Sequence, residues 1–247
     1  MGIQKILISQ QVPSAAAGTP YDELIQQYNL TVHYRPFFRV EPLTLREFRA
    51  QHLSILDYTA IVFSSKLAID AFFHICEETK TVIPDTMKYF CSSENIAVYL
   101  QKYIVYRKRK IFYGENSLKS VIPIASLPKH RGEKFLITST DTLKESVRRL
   151  FTDAKLDCTG VVLVKTVSND LHDVRLSDYD LVIFYSPADI RSLKENFPER
   201  GEGGPLFATF GPATTAALKA EGYPIEIEAP TPATPSMVEA LKKYLAK

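Results

Sequence analysis

Thr59-Ala60-Ile61-Val62-Phe63-Ser64-Ser65-Lys66-Leu67 carries a short apolar run through two small hydroxyl residues into Lys66 to Glu78, where Leu67, Ala71 and Ile75 share one helical face. An unbroken apolar run of this length predicts a buried strand, and the amphipathic stretch that follows predicts a helix packed on it. The same alternation extends outward in both directions. Lys5 to Ser9 reads as the first strand, Tyr21 to Asn29 as a helix, Thr31 to Arg35 as a strand and Thr44 to Leu53 as a helix. Further strands are expected near Tyr89, Phe112, Phe135, Val162, Val182, Phe207 and Ile225. Repeated βα units of this kind predict an α/β fold with mostly parallel sheets flanked by helices.

The chain also resembles itself. Phe63-Ser64-Ser65-Lys66-Leu67 answers to Phe184-Tyr185-Ser186-Pro187-Ala188, an offset of 184 − 63 = 121. Cys91-Ser92-Ser93-Glu94-Asn95 answers to Phe210-Gly211-Pro212-Ala213-Thr214, an offset of 211 − 92 = 119. Two strand-to-helix junctions thus recur in order, which suggests two similar domains facing each other. Pro36 and Pro42 bracket Phe37 to Glu41, an extended segment suited to a crossing, and Ser168-Asn169-Asp170 is turn-like after the strand of Val161 to Lys165. The expected division is a discontinuous α/β domain of residues 1–36 plus 170–247 and a central α/β domain of residues 40–166, joined by two extended crossings.

Composition narrows the functional classes. The 247 residues are 45% hydrophobic and 23% charged, enough for a packed core and unlike a disordered chain. Thirty basic against 28 acidic residues leave a net charge of +2, no global field of the kind that gathers nucleic acid. The densest local charge, Arg107-Lys108-Arg109-Lys110, reads either as a solvated edge or turn or as an attractor for an anionic ligand. Cys76, Cys91 and Cys158 are too scattered for a disulfide framework or a Cys-x-x-Cys site, which suits a reducing compartment. Met1 to Lys5 leads straight into an apolar strand with no signal-like h-region, and no apolar run approaches the ~20 residues of a membrane helix, so a cytoplasmic location without membrane contact is expected.

Several junctions place small or hydroxyl residues at the start of a helix: Ser64-Ser65, Ser92-Ser93, Thr138-Ser139-Thr140, Ser186-Pro187-Ala188 and Gly211-Pro212-Ala213-Thr214. A helix start leaves backbone N–H groups unpaired and carries the positive end of the macrodipole, so carboxylates or phosphates can bind there without lysine. The plainer reading of each serine or threonine is an ordinary N-cap. Each terminus offers roughly 0.3–1 kcal/mol, so only a polyanion touching several would gain substantial affinity. No P-loop, Gly-x-Gly-x-x-Gly or Gly-x-Ser-x-Gly motif occurs, and His33, His52, His74, His130 and His172 show no metal-ligand spacing. Gly201-Glu202-Gly203-Gly204-Pro205 precedes a strand and reads as a surface loop. Neither a metal nor an organic cofactor is expected.

These residues resemble one family over nearly the whole chain. Phe207 to Leu218, followed by Gly222-Tyr223-Pro224, is similar to the strand, Gly-x-x-Thr-Ala and helix that close uroporphyrinogen-III synthases. Leu181 to Leu193 with its Ser186-Pro187 junction, Ile61 to Ser65, and Pro235 to Leu241 follow the family in order. The resemblance implies a cofactor-free lyase of haem biosynthesis. Its substrate would be hydroxymethylbilane, a linear tetrapyrrole with acetate and propionate arms, and hydroxymethylbilane synthase a possible partner. The implied substrate-binding set is Ser64, Ser65, Ser92, Ser93, Asn95, Ser139, Thr140, Ser186, Pro187, Ala188, Gly211, Pro212, Ala213 and Thr214. Two departures stand out. Val164 occupies the place of a family tyrosine thought to assist loss of the hydroxyl, which leaves Tyr185 or a bound water as a substitute, a dispensable tyrosine, a slow enzyme, or a non-catalytic tetrapyrrole-binding module. Ser92-Ser93-Glu94-Asn95 stands where the central domain often has Gly-x-x-Thr-Ala, which predicts poorer backbone approach at Ser92.

Overall fold

The computed structural model describes residues 2–13, 18–199 and 204–246. The first elements are β1 (Lys5–Ile8), α1 (Asp22–Tyr28), β2 (Thr31–Tyr34), β3 (Phe38–Pro42) and α2 (Leu45–Arg49). They are followed by β4 (Ala60–Phe63), α3 (Lys66–Glu78), β5 (Lys88–Cys91), α4 (Glu94–Tyr99), β6 (Ile111–Tyr113), α5 (Leu118–Ala125), β7 (Phe135–Thr140), α6 (Lys144–Asp153) and β8 (Cys158–Ser168). The chain continues through β9 (Leu181–Phe184), α7 (Pro187–Asn196), β10 (Leu206–Phe210), α8 (Pro212–Ala220), β11 (Ile227–Ala229) and α9 (Met237–Leu245). Gly201 to Gly203, part of the expected glycine-rich loop, lie outside the described residues.

The chain divides into two compact units, one of Met1–Arg39 with Val167–Lys247 and one of Val40–Thr166. In the first, the strands are ordered β11-β10-β9-β1-β2, and in the second β3-β8-β7-β4-β5-β6. Every pairing from β4 to β8 and throughout the first unit is parallel. With the edge strand β3 set aside, replacing β4, β5, β6, β7 and β8 by β9, β10, β11, β1 and β2 converts one strand order into the other. The first unit is therefore the second with its chain cut after the helix that precedes the fourth strand, a circular permutation. In sequence order its sheet reads 2-1-3-4-5, the flavodoxin-like arrangement, whose topological switch point lies between β1 and β9.

Strand composition follows from burial on both faces. β4 and β9 are buried at all four positions, and successive side chains enter opposite cores. Ile61 and Phe63 pack with Ala68, Phe72, Ile75 and Ala97 of α3 and α4, while Ala60 and Val62 pack with Val121, Ala125 and Phe151 of α5 and α6. In the first unit Ile6, Ile8 and Ile183 face Leu24 and Leu241, whereas Leu7, Val182 and Phe184 face Ile190, Leu193 and Leu218. Each polar-flanked apolar run thus supplies two cores at once. The buried stripe of α3 is centred on Ala68, Ala71, Phe72 and Ile75, with Leu67 at its half-buried margin, one position off the face read from sequence.

The expected linker at Phe37 to Glu41 is ordered sheet. β3 lies beside β8, and Phe37 is wholly buried, its ring edge-on to Phe184 at 5.6 Å. Its carbonyl accepts from the Asn169 amide at 2.8 Å and from Ser192 Oγ at 2.5 Å. The Asn169 side chain donates to Pro36 O at 2.9 Å, so the turn-like Ser168-Asn169 pins the start of the crossing. Flanking prolines at 36 and 42 permitted this because an edge strand tolerates missing donors. The last strand begins at Ile227, two residues beyond the expected Ile225. Truncating Phe37 to Ala should lower the stability of the first unit by about 3–5 kcal/mol, read as a shift of its urea unfolding midpoint; a shift no larger than that of an exposed substitution would return the segment to linker status.

Candidate functional site

The carboxyl edge of each sheet collects the junctions singled out by sequence. In the central unit β4 ends at Phe63, and Ser65 caps α3 by accepting the Ala68 amide at 3.1 Å. Ser64 is exposed, and the amides of Lys66 and Leu67 precede the first intrahelical bond. After β5, Ser92 and Ser93 are largely buried. Ser92 donates its amide to Phe63 O at 2.9 Å and its hydroxyl to Ser64 O at 3.5 Å. No side chain caps α4, whose first turn carries Glu94 and the exposed Asn95.

The third junction differs from its expected form. Thr138, Ser139 and Thr140 belong to β7 and do not open a helix. Thr138 Oγ1 donates to Val62 O at 2.8 Å and Ser139 Oγ to Val161 O at 3.4 Å, so both hydroxyls are spent inside the sheet. Thr140 shares its hydroxyl with Thr142 at 3.2 Å, and α6 starts after Leu143 without a side-chain cap. A run of Thr and Ser is ambiguous because these residues favour both strands and caps. Val164, where the resemblance places a family tyrosine, pairs with Thr140 in register and is 2% exposed.

In the first unit, Ser186 caps α7 with Pro187 at the first helical position, as expected. The same turn closes on itself. Asp189 Oδ2 accepts the amides of Tyr185 at 3.0 Å and Ser186 at 2.9 Å, and Ser186 Oγ accepts that of Ala188 at 3.2 Å. Ser186, Pro187 and Ala188 therefore do not present free amides to an anion. The signal was in the sequence as Ser-x-x-Asp, a capping box. Asp189 is 1% exposed, and burial raises its carboxyl to about 6 against the opposing pull of the Tyr185 amide, the neighbouring Ser9 hydroxyl and the Ser186 amide. Asp189 Oδ1 and Ser9 Oγ are both buried, and neither completes a hydrogen bond of normal geometry. These groups sit where β1 and β9 end, at the switch point.

Tyr185 and Tyr21 pair through their phenols there. Burial, then the Tyr185 phenol, drives the Tyr21 hydroxyl far above its ordinary value; burial also raises Tyr185, with the bond from Tyr21 opposing it. Both remain protonated at neutral pH, and either phenol can donate in the bond they share. Tyr21 was not singled out in the sequence because its partner is 164 residues away.

Gly211 opens α8 with φ +92°, a conformation that favours glycine, although a Cβ there would meet no atom within 4 Å. The demand is conformational. β10 hands over to its helix through one residue, whereas β5 uses two, so Ser93 at φ −152° stays extended and needs no glycine. The helix caps consequently align as Ser65 with Ser186, 186 − 65 = 121, and Ser93 with Gly211, 211 − 93 = 118, one residue from the sequence pairing. The Gly211 amide bonds Ala229 O at 2.6 Å, Thr214 is buried, and no side chain caps the amides of Ala213 and Thr214. Among the described residues no group of three or more His, Cys, Asp or Glu could hold a metal, and no helix is long and apolar enough to cross a membrane.

A family model described as uroporphyrinogen-III synthase HemD matches residues 19–239. No curated protein matches the chain. Among solved structures, uroporphyrinogen-III synthetase from Helicobacter pylori is 15% identical with a TM-score of 0.55, over 99% of each chain. A mutant uroporphyrinogen III synthase from Thermus thermophilus is 12% identical with a TM-score of 0.51, over 98% of this chain and 99% of that one. At such identities the two structures speak for the fold.

The carboxyl of Asp189 offers a test of this edge. With its native value near 6 and an ordinary value of 3.8, the folded chain binds more protons than the unfolded one between those limits, so this group's contribution to stability falls as pH rises from about 4 to about 6. Replacing Asp189 by Asn keeps an acceptor for both amides and removes the buried charge. The melting temperature of the variant relative to the parent should therefore increase between pH 4 and pH 7, at roughly 2–4 °C per kcal/mol; a difference independent of pH would refute the buried titration.

Proposed function

Because this chain belongs to the uroporphyrinogen-III synthase family, we propose that it cyclises hydroxymethylbilane to uroporphyrinogen III, with inversion of the last pyrrole ring and loss of water, as a lyase of tetrapyrrole biosynthesis. The observation that carries this reading is the family match over residues 19–239. The geometry of the helix starts is compatible with it. The first-turn amides of α3 and α8, at Lys66-Leu67 and Ala213-Thr214, are the donors that would receive carboxylate arms, with Ser64, Ser65, Gly211 and Pro212 shaping the approach. Ser92, Ser93, Asn95 and Thr140 would line the rest of the central unit's edge. Ser139 and the Ser186 junction contribute as scaffold, since their polar groups are already used.

The chemistry asks little of acidic or basic side chains. Loss of the terminal hydroxyl as water generates an azafulvene; attack at the substituted carbon of the last pyrrole gives a spiro intermediate whose rearrangement inverts that ring. The bilane also closes unaided to the uninverted isomer, so the protein has to favour one conformer and outrun that path. A hundredfold preference requires about 2.7 kcal/mol of differential transition-state binding, within reach of several oriented amides. With Val164 in the core, Tyr185 is the phenol proposed to lend a proton to the departing hydroxyl; the proton released from the pyrrole nitrogen as the azafulvene forms restores it. The burial of Val164 is also what favours the second reading, a module that holds a tetrapyrrole without transforming it.

Freshly prepared hydroxymethylbilane distinguishes the two. Incubation with the protein, oxidation and isomer analysis should give mainly the type III porphyrin at well above the spontaneous rate. Only type I porphyrin at the spontaneous rate would leave the binding module. If the synthase reading holds, Tyr185→Phe should lower kcat at least about a hundredfold, the low end for loss of a proton donor; unchanged turnover removes Tyr185 from the mechanism while leaving the synthase reading intact.

A further inference from the structure

The central unit carries a cavity of about 210 Å³ at the amino ends of β5 and β6, on the side of the sheet edge opposite the junctions above. Its lining includes Met87 and Tyr89, 2% and 4% exposed, together with Ile104 and Val105. The charged lining consists of Asp85, Arg107 and Lys110. Arg107 and Lys110 both reach the Asp85 carboxylate, at 3.1 and 2.8 Å. The exposures are unequal: the Lys110 side chain is 16% exposed, that of Arg107 41%, and that of Asp85 81%. A sheltered cation is thus neutralised by an anion that solvent already surrounds.

That asymmetry has a physical consequence. An exposed carboxylate contributes roughly 0–1 kcal/mol to such a pair, because water and salt compete for it. A carboxylate delivered on an apolar body would meet the same two cations while covering Ile104 and the exposed Val105, and so gains the apolar burial that Asp85 lacks. Two cations against one carboxylate also leave the spot electropositive. Lys110 and Asp85 precede their strands, whereas Ser92 follows β5, so occupation here leaves the carboxyl edge untouched.

We propose that this cavity is a second ligand site, specific for a small organic anion with an apolar body, in which Asp85 acts as a built-in competitor that the ligand's own carboxylate displaces. The sequence cluster Arg107 to Lys110 supplies its cations, and the site stands independently of the reaction proposed above. 3-Phenylpropionate is a suitable probe, with 3-phenylpropanol as its uncharged counterpart. Met87 lies in the wall and Met237 in the other unit, so the methionine methyl resonances of the full chain provide a reporter and an internal control.

Titration with 3-phenylpropionate should move the Met87 methyl and leave that of Met237 in place, and 3-phenylpropanol should bind at least about tenfold more weakly, the loss of a charged hydrogen bond. Asp85→Asn should tighten binding by about two- to fivefold, the range of a released surface pair, and Lys110→Gln should weaken it about tenfold or more. A static Met87 resonance, equal affinity for acid and alcohol, or an unchanged affinity in Asp85→Asn would each overturn the proposal. Should Lys110→Gln fail to fold, the acid, the alcohol and the exposed Asp85 variant still decide it.

Discussion

Strands covered by helices on both faces can hand the chain onward only at their ends, and a parallel arrangement sends every handover to the same edge. At that edge each helix begins with amides that its own turns cannot satisfy. The polar character of the two carboxyl edges therefore follows from the way the hydrophobic cores are built. Ile61 and Phe63 serve one core while Ala60 and Val62 serve the other, and the junction at Ser64-Ser65 is what remains outside both.

The two units solve this shared problem differently at equivalent places. α7 satisfies its amides internally through Ser186 and a buried carboxyl on Asp189, which makes the switch point of the first unit a closed, acid-bearing corner beside paired phenols. The equivalent helix α3 uses a serine cap alone. α8 turns in a single residue and needs glycine in a positive-φ conformation, whereas α4 spends two serines on the same step. The number of unsatisfied amides consequently differs from one helix start to another, and is greatest where a full-length helix starts with no side-chain cap.

The position where the resemblance places a family tyrosine is decided by packing. Val164 is part of the core that includes Phe63, Phe72 and Ile75, so a tyrosine at that position would have to find room for its hydroxyl in an apolar setting. In the first unit, Tyr21 and Tyr185 meet through their phenols.

The sequence by itself determined the βα alternation, the parallel sheets, the doubling of two junctions and the family, because hydrophobic period and turn chemistry are local and survive in a string of letters. Proline 187 at a helix start and glycine at 211 were legible for the same reason. Tertiary structure alone decided which hydroxyls were still available: Ser139 gives its proton to Val161 across the sheet, and Phe37 leaves a seemingly extended linker to fill a core against Phe184. It also decided the circular permutation and the meeting of Tyr21 with Tyr185 and of Asp85 with Lys110. Such contacts depend on which distant segments the sheet order makes neighbours, and no local propensity encodes that.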